Sequence, residues 1–252
     1  FIILFLIQIG GLGVMTITSF FAMFFMGNTS IYNQMAVKDM VSSQSLNSLL
    51  STLLYILGFT LGIEAVGALF LYLDIHGTMG MTVSEELFFV AFHSVSAFCN
   101  AGFSTLSGNL GNELILNNHT GFYVGISLLV ILGGIGYPIL VNFLQTQMYE
   151  LKKLYCQYIQ GKKIPRIVHL YNLNTRIAVR MTLVLIVVGT LFMLIAEWNR
   201  AFADMSVIDK FVQAFFNAVC PRTAGFNSVS LTTMGLHTLL IYMLLMVIGG
   251  GA

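Results

Sequence analysis

The chain has 252 residues, of which 57% are hydrophobic and only 8% are charged, and its formal net charge is +1. A soluble domain carries about 25% charged residues, so this composition excludes an ordinary soluble protein and predicts an all-α polytopic membrane protein. The small net charge gives no reason to expect a nucleic-acid partner. The three cysteines have no CxxC spacing, so they predict neither a zinc site nor a disulfide framework.

Five apolar stretches have, or nearly have, the roughly 20 residues that a helix needs to cross a bilayer. In chain order they are 1–26, 46–73, 121–145, 177–198 and 235–252. The first stretch starts without a methionine or a charged flank, and the last one stops in mid-span at Ala252. We therefore expect an interior fragment of a longer chain.

Two further apolar segments, 84–99 and 208–221, are too short to cross a bilayer. Each is preceded by a capping box, in which a hydroxyl residue is followed three positions later by a carboxylate near the positive end of the helix dipole. The two pairs are Thr82 with Glu85 and Ser206 with Asp209. We expect two short helices that enter the bilayer and return to the same side.

The basic residues are concentrated in two connecting loops, 27–45 and 146–180, whereas the carboxylates lie mainly at the opposite ends of the spans. These loops carry eight of the eleven lysines and arginines, namely Lys38, Lys152, Lys153, Lys162, Lys163, Arg166, Arg176 and Arg180. The positive-inside rule places such loops in the cytoplasm. Both short helices therefore dip into the bilayer from outside, and the basic stretch 150–166 is typical of a topogenic segment that faces lipid.

One stretch of the sequence occurs twice, with matched positions 123 residues apart. Residues 92–103 and 215–226 both end in Ala-Gly-Phe, and a glycine run recurs at Gly10 and Gly133 with the same offset. Because each unit crosses the membrane twice, the copies are parallel. The predicted organisation is the second helix of a first repeat (1–26), a second repeat of helix, pore loop and helix (46–145), a basic cytoplasmic linker (146–176), and a third repeat that reaches the start of its second helix (177–252).

The position of the repeated Ala-Gly-Phe predicts a pore. A polar turn with glycine at membrane depth is tolerated only where it is buried in protein or lines a watery path. A short helix that enters from outside directs its carbonyl end toward mid-membrane, where the helix dipole favours a cation. The extended residues that follow can replace the water shell of the ion with main-chain carbonyls, and Gly102 and Gly225 let the backbone approach it closely.

Four segments together resemble the Trk/Ktr/HKT superfamily of potassium transporters, over essentially the whole chain. They are Ile-Gln-Ile-Gly-Gly-Leu-Gly at 7–13, Phe-Cys-Asn-Ala-Gly-Phe-Ser at 98–104, Leu-Gly-Gly-Ile-Gly-Tyr-Pro at 132–138 and Pro-Arg-Thr-Ala-Gly-Phe-Asn at 221–227. The resemblance implies four helix–pore–helix units around a pseudo-fourfold cation pore, in the cell (inner or plasma) membrane of a bacterium. It also implies potassium uptake, with K⁺ as the transported ion and no organic cofactor bound by this chain.

The same resemblance assigns residues to a filter, a gate and partner surfaces. The residues implied to coordinate K⁺ through main-chain carbonyls are Asn100, Ala101, Gly102, Thr223, Ala224 and Gly225. Phe103 and Phe226 directly follow them, belong to the same filter through their main-chain carbonyls, and would wedge each loop against neighbouring helices. The break at Gly249, Gly250 and Gly251 would begin an intramembrane loop that gates the pore from below. The implied partners are membrane lipid, a second copy in a homodimer, and a cytoplasmic nucleotide-binding regulatory subunit that docks on the basic linker.

Two charged residues are candidates for filter support. Arg222 directly precedes one filter segment, and burying it in the membrane costs about 3 kcal/mol unless it is paired. It either donates to carbonyls or a carboxylate behind the filter, or it forms a repulsive barrier that tunes ion occupancy. Glu64 lies within the span 46–73, where it is either an anchor for a pore helix or a functional carboxylate, and Arg222 is its natural partner.

Other functions and sites are weighed against this hypothesis. An ion-coupled (Na⁺ or H⁺) secondary cation transporter with broken helices is the alternative, although such transporters often have inverted repeats. An enzyme is not expected, because the spans contain no paired carboxylates, metal-ligand cluster or nucleophile–base motif. The five histidines lack metal-ligand spacing and are interpreted as surface or interfacial residues, with weak pH sensitivity as a further option for His93.

Overall fold

The computed structural model describes residues 1–11, 48–116, 119–159 and 173–249. All regular secondary structure within these ranges is helical. The helices are α1 (Ile2–Gly11), α2 (Ser48–Ile75), α3 (Val83–Phe98), α4 (Glu113–Leu116), α5 (Thr120–Ile135), α6 (Tyr137–Ile159), α7 (Leu173–Glu197), α8 (Val207–Thr223) and α9 (Leu236–Ile248), with a short 3-10 helix at Asn109–Gly111.

Two of these helices contain segments long and apolar enough to cross a bilayer, Ile56–Ile75 in α2 and Arg176–Glu197 in α7. They overlap the predicted spans 46–73 and 177–198. The other predicted spans contain the shorter apolar helices α1, α5 and α9. Crossing by these shorter helices stays a prediction, and residues 12–26 of the first predicted span lie outside the described ranges.

The prediction of one continuous span over 121–145 is wrong. Helix α5 ends at Ile135, and Gly136 has φ +86° and ψ +146°, which interrupts the helix before α6 begins at Tyr137. Residues with a side chain rarely adopt this conformation, so glycine at 136 permits the break although the apolar composition continues across it. Helix α6 then runs to Ile159, so the predicted linker 146–176 begins as helix, and its middle, 160–172, is not among the described residues.

The two predicted short helices are confirmed as α3 and α8. Thr82 and Glu85 form the complete capping box, in which Glu85 Oε2 accepts from the Thr82 N–H at 2.9 Å. At the start of α8 only half of the box forms. Ser206 Oγ accepts from the Asp209 N–H at 3.3 Å, while the carboxylate of Asp209 accepts from the Ser206 hydroxyl. We attribute the difference to the shorter side chain of aspartate, which does not reach the main-chain N–H.

The helices pack as two groups of three. Helices α2, α3 and α5 contact one another, as do α7, α8 and α9, and α5 packs against α8 to join the two groups. The buried core crosses this junction, where the rings of Tyr123 and Phe216 meet edge to face with centroids 5.1 Å apart. The outward faces of α2, α7 and α9 expose large apolar side chains such as Val66, Ile195 and Val247, as expected for helices that face lipid.

A carboxylate at the end of the first helix of each group stabilises the start of the last helix of that group. Asp74 Oδ2 accepts from the Phe122 N–H at 3.1 Å, in the first turn of α5. Glu197, 123 residues after Asp74, accepts from the Gly235 N–H at 2.9 Å and from the Thr238 hydroxyl, at the start of α9. Free N–H groups at a helix start favour such a carboxylate. This pair is not among the sequence-based predictions, although the 123-residue offset could have identified it.

Candidate functional site

The two predicted filter loops contact each other at their matched glycines. Gly102 has φ +70° and Gly225 has φ +74°, both in the left-handed region that favours glycine. A Cβ atom added to Gly102 would overlap the Ala224 carbonyl oxygen and lie 2.8 Å from the Gly225 carbonyl carbon. A Cβ at Gly225 would meet only Gly102 Cα, at 3.9 Å. The backbones therefore meet most closely where Gly102 has no side chain.

Helix α3 ends in a Schellman motif, whose left-handed residue is Asn100 with φ +53°. The Asn100 N–H donates to the Ala97 carbonyl at 3.1 Å, and the Ala101 N–H donates to the Ser96 carbonyl at 2.8 Å. Asparagine tolerates this conformation better than most residues with a side chain. The chain beyond Ala101 is irregular, as predicted for a loop. We call residues 99–104 the α3 loop.

Helix α8 continues two residues further than the match to α3 predicts. Thr223 is its last residue, and Ala224 still has right-handed helical angles, with φ −84° and ψ −34°. The expectation of extended backbone at Thr223 and Ala224 is therefore wrong. Thr223 stands where α3 has Asn100, and a β-branched residue strongly disfavours the left-handed conformation. The helix thus turns only at Gly225, and we call residues 224–228 the α8 loop.

The side chain of Asn100 joins the ends of three helices. Its amide nitrogen donates to Thr223 Oγ1 at 3.1 Å and to the Val130 carbonyl at 3.2 Å, while its oxygen accepts from the Gly134 N–H at 3.0 Å. This orientation of the amide gives every partner a complementary group. Asn100 and Thr223 are 123 residues apart in sequence, so equivalent positions of the repeat touch directly.

Each loop is also held to its own short helix by a polar side chain. His93 donates from Nδ1 to the Phe89 carbonyl at 2.8 Å, so its Nε2 accepts from the Ser104 hydroxyl at 2.8 Å. In the other loop, Asn217 Nδ2 lies 2.9 Å from Ser228 Oγ. The interpretation of His93 as a surface or interfacial residue is wrong, because its ring is fully buried and both nitrogens have partners.

The flanking phenylalanines differ in their surroundings. Phe226 is 1% exposed within the core, as the prediction of a wedge requires, but Phe103 is 57% exposed and lines a cavity of about 420 Å³ beside α1. Phe103 is thus not wedged by the described residues, and its packing in the full-length protein stays a prediction. The Gly102 carbonyl, a predicted filter ligand, accepts from Asn109 Nδ2 at 3.2 Å. A carbonyl oxygen keeps a second lone pair for another partner.

Glu64 supports the α3 loop from behind. Its side chain is buried in α2, and Oε1 accepts from Gln8 Nε2 at 3.2 Å and from the Cys99 thiol at 3.6 Å. The Glu64 carbonyl also accepts from Ser94 Oγ at 2.7 Å. The expected pairing of Glu64 with Arg222 is wrong, because each residue binds groups of its own helix group or of α1. Among the described residues nothing bonds to Glu64 Oε2.

Arg222 lies in the last turn of α8 and donates to a carbonyl, as predicted. Its Nε donates to the Gly249 carbonyl at 3.0 Å, and its Nη2 donates to Thr182 Oγ1 at 3.3 Å. No carboxylate forms an ion pair with it in the part of the chain that the structure describes. The guanidinium therefore has neutral oxygen partners from α7 and from the end of α9.

The glycine runs of the longer helices pack against the ends of the short helices. A Cβ at Gly133 would overlap the Phe98 carbonyl oxygen, and one at Gly11 would overlap the Cys99 side chain. Gly249 has φ +67° and ends α9, so a break starts where the gate was predicted. Gly250 and Gly251 of the predicted gate lie outside the described residues.

The oxygen atoms that the two loops themselves supply belong to main-chain carbonyls, an amide and hydroxyls, while the carboxylate of Glu64 lies behind the α3 loop. No group of three or more histidine, cysteine or acidic side chains that could hold a metal ion occurs within the described ranges. Neutral oxygens suit a weakly held monovalent cation that must also leave again.

The chain is similar in sequence to known cation transport proteins. A family model described as a cation transport protein, TrkH, matches residues 1–252. The Ktr system potassium uptake protein B of Bacillus subtilis is 29% identical over 260 residues, which cover 100% of this chain and 52% of that protein. The potassium/sodium uptake protein NtpJ of Enterococcus hirae is 30% identical over 253 residues, covering 99% of this chain and 50% of that protein.

A solved structure shares the fold. The potassium transporter TrkH from Vibrio parahaemolyticus superposes with a TM-score of 0.61 at 18% identity, over 99% of this chain and 44% of that one. The chain spans about half the length of the curated relatives it matches. Because the family model covers its whole length, the chain belongs to the TrkH family of cation transport proteins.

Proposed function

We propose that this chain forms part of a potassium uptake pathway across a bacterial cell membrane. The observation that carries the proposal is the contact between Gly102 and the Ala224–Gly225 backbone, made by two short helices that are repeated in sequence. Relatives named as potassium uptake proteins support K⁺ as the ion. The transported ion is the substrate, and the proposal needs no organic cofactor.

The filter is built from main-chain carbonyls of the two loops. The ends of α3 and α8 carry the partial negative charge of a helix C-terminus, which favours a cation nearby. The proposed ligands are the carbonyls of Asn100, Ala101 and Gly102 and those of Thr223, Ala224 and Gly225. Since α8 is helical through Ala224, we expect its contribution to come chiefly from Gly225 and the residues after it.

The wider architecture extends this site by symmetry. In the full-length protein, four parallel units of helix, re-entrant hairpin and helix surround a pseudo-fourfold axis. The present chain supplies the second helix of the first unit (1–26), the whole second unit (46–145) and most of the third unit (177–252). Residues 146–176 form the cytoplasmic linker between the second and third units. The matched carboxylates Asp74 and Glu197 support the repeat. We further propose that Gly249, Gly250 and Gly251 begin an intramembrane gate, that the protein forms homodimers in lipid, and that a nucleotide-binding cytoplasmic subunit regulates it.

Glu64 is proposed as filter support. Its carboxylate accepts from Cys99, the residue that directly precedes the filter, and from Gln8 on α1, which belongs to the preceding unit. In Glu64→Gln one accepting oxygen becomes a donor, so we expect lower K⁺ flux or lower expression of the full-length protein. Glu85→Gln, which changes an exposed carboxylate at the start of α3, is the matched control. Wild-type flux and expression in Glu64→Gln would remove Glu64 from the proposal.

Selectivity tests the proposal as a whole. The full-length protein, reconstituted in liposomes, should pass K⁺, and Gly225→Ser should lower its preference for K⁺ over Na⁺ because a side chain at φ +74° displaces the filter backbone. Gly108→Ser is the matched control, since Gly108 has φ +82° in the loop outside the filter with open space around it. Unchanged selectivity in Gly225→Ser, or an equal change in Gly108→Ser, would contradict the assignment of the filter.

A further inference from the structure

Arg222 bonds both to the first helix of its group and to the end of the last helix. It lies in the final turn of α8, one residue before the predicted filter segment, and its two donors reach Thr182 on α7 and Gly249 at the end of α9. The equivalent position in the other group, 123 residues earlier, is Cys99, whose thiol reaches Glu64 on α2. A thiol has a single weak donor and cannot bridge two elements.

The Gly249 carbonyl, directly after the last residue of α9, accepts from Arg222. In the other group the matched glycine is Gly133, and its carbonyl accepts from the Gly136 N–H at 3.2 Å, because α5 continues to Ile135. Helix α9 ends at Ile248, and the Gly249 carbonyl accepts from the Arg222 side chain. The two groups thus use the same carbonyl in different ways, once within a helix and once for a side chain.

The charge of Arg222 suits this position. The guanidinium lies at the C-terminal end of α8 and bonds Gly249, the residue that caps the C-terminus of α9, so the carbonyl ends of two helices face one cation. Both helix dipoles stabilise a positive charge there. An arginine at this depth, without a carboxylate partner among the described residues, depends on these carbonyls for its stability. Displacing the end of α9 would therefore leave the guanidinium without its main partner.

We infer that Arg222 is a positioning residue that couples the filter to the gate, because its guanidinium holds the Gly249 end of α9 against the end of α8. This inference rests on the proposed function. In the closed pathway the Arg222–Gly249 bond keeps the start of the gate beneath the filter. Opening requires that this bond breaks, and a shift of Gly249 is transmitted to the residue that precedes Thr223.

Basal K⁺ flux measures this coupling directly. In liposomes that contain the full-length chain without any cytoplasmic subunit, Arg222→Gln should raise K⁺ flux about tenfold, since a lost charge-assisted hydrogen bond shifts the closed–open equilibrium by about that factor. The K⁺/Na⁺ permeability ratio should stay at the wild-type value. Arg222→Lys keeps the positive charge, but a lysine cannot donate in two fixed directions as the guanidinium does. Its K⁺ flux should therefore fall between those of the wild type and Arg222→Gln.

Thr182→Val is the matched control, because it removes the other acceptor of Arg222 and leaves the bond to Gly249. Its basal flux should change by less than about twofold, as expected for a neutral hydrogen bond at a partly buried site. Unchanged basal flux in both Arg222→Gln and Arg222→Lys would overturn the inference. A rise in flux with an equal loss of selectivity would overturn it as well, because Arg222 would then act on the filter alone.

Hydrogen exchange keeps the inference separate from the proposed function. Amides of residues 245–249 should exchange faster in Arg222→Gln and Arg222→Lys than in the wild type or in Thr182→Val, and this readout needs no transport. If the wild-type protein passes no K⁺, the proposed function fails, and the exchange of 245–249 still decides whether Arg222 holds α9. Equal exchange in all four proteins would refute the contact itself.

Discussion

The α3 loop and the α8 loop share the sequence Ala-Gly-Phe at matched positions, yet their chains turn at different residues. In the α3 loop the helix ends at Phe98 and turns left-handed at Asn100, whereas in the α8 loop it continues and turns at Gly225. One substitution accounts for the difference, because asparagine accepts the left-handed conformation and threonine does not. The repeat therefore predicts which residues of the two loops meet, but it does not predict at which residue each short helix ends.

The two loops also differ in what braces them. His93 hydrogen-bonds Ser104 in the α3 loop, and Asn217 hydrogen-bonds Ser228 in the α8 loop. Both pairs hold a loop to its own helix, but the second pair lies one position later in the repeat than the first. Behind the loops, Cys99 is tied to the carboxylate of Glu64, while Arg222 is tied to the Gly249 carbonyl. The first loop is anchored to a long helix, and the second to the end of α9.

The largest predicted effect tests the asymmetry between the two glycines. Gly102→Ala places a methyl group against the Ala224 carbonyl and Gly225, so we expect destabilisation of about 3 kcal/mol or more from backbone strain and overpacking together. Gly225→Ala has the same left-handed strain but more room, so about 1–2 kcal/mol is expected. Thermal unfolding of the full-length protein in detergent measures both.

Gly108→Ala controls for strain alone, since Gly108 has φ +82° and no atom within 4 Å of an added Cβ. It should behave like Gly225→Ala. If Gly102→Ala were no worse than these two variants, the close approach of the two loops would be wrong.

The second prediction compares the carboxylates that stabilise the starts of α5 and α9. Glu197 is fully buried and accepts from Gly235 and Thr238, so in Glu197→Gln a donor faces donors, at a cost of about 2–3 kcal/mol. The Asp74 side chain is 26% exposed, and water can replace part of its bonding, so Asp74→Asn should cost about 1 kcal/mol. Melting temperatures rank the two, with Asp204→Asn as an exposed control. A larger loss in Asp74→Asn would reverse the comparison.

Much of the fold could be predicted from periodicity and spacing. Caps and apolar length located α3 and α8, and the repeated Ala-Gly-Phe identified the two loops that meet. The break at Gly136 escaped prediction because hydropathy continues across it, and only the backbone angle of one glycine interrupts the helix. The partners of Glu64 could not be predicted from the sequence. The 123-residue offset shows which positions of two repeats are equivalent, but it does not show which neighbouring helix a side chain contacts.

The third prediction concerns the pair that joins the loops. Asn100→Ala loses the left-handed preference and all bonds of the amide, so we expect a loss of about 2 kcal/mol. Thr223→Val keeps the shape of its side chain and loses one hydrogen bond, about 1 kcal/mol. Asn100→Gly keeps the backbone conformation and isolates the side-chain contribution. The double mutant Asn100→Gly/Thr223→Val should cost less than the sum of its single variants, because both remove the same bond. Strict additivity would mean that the two side chains do not interact.

The smallest effect concerns the outer starts of the two short helices. At the start of α3 the side chain of His76 and the N–H of Gly77 hydrogen-bond Glu86 and hold the pKa of its carboxyl below the usual range. At the matched position of α8, Asp209 binds Ser206 and Thr120 instead. Because the pKa of Glu86 is lower in the folded state, its contribution to stability is complete above its unfolded pKa of about 4.3 and disappears as the pH falls through the folded value.

Glu86→Gln should therefore lower the melting temperature at pH 7 and flatten its decline in acid, so that the two curves converge below about pH 4. Melting temperatures of wild type and variant, measured in detergent from pH 7 to pH 3, provide the test. Curves that stay parallel over this range would show that the ionised carboxylate of Glu86 does not stabilise the start of α3. The starts of the two short helices would then differ only in their capping boxes, which are complete at α3 and half formed at α8.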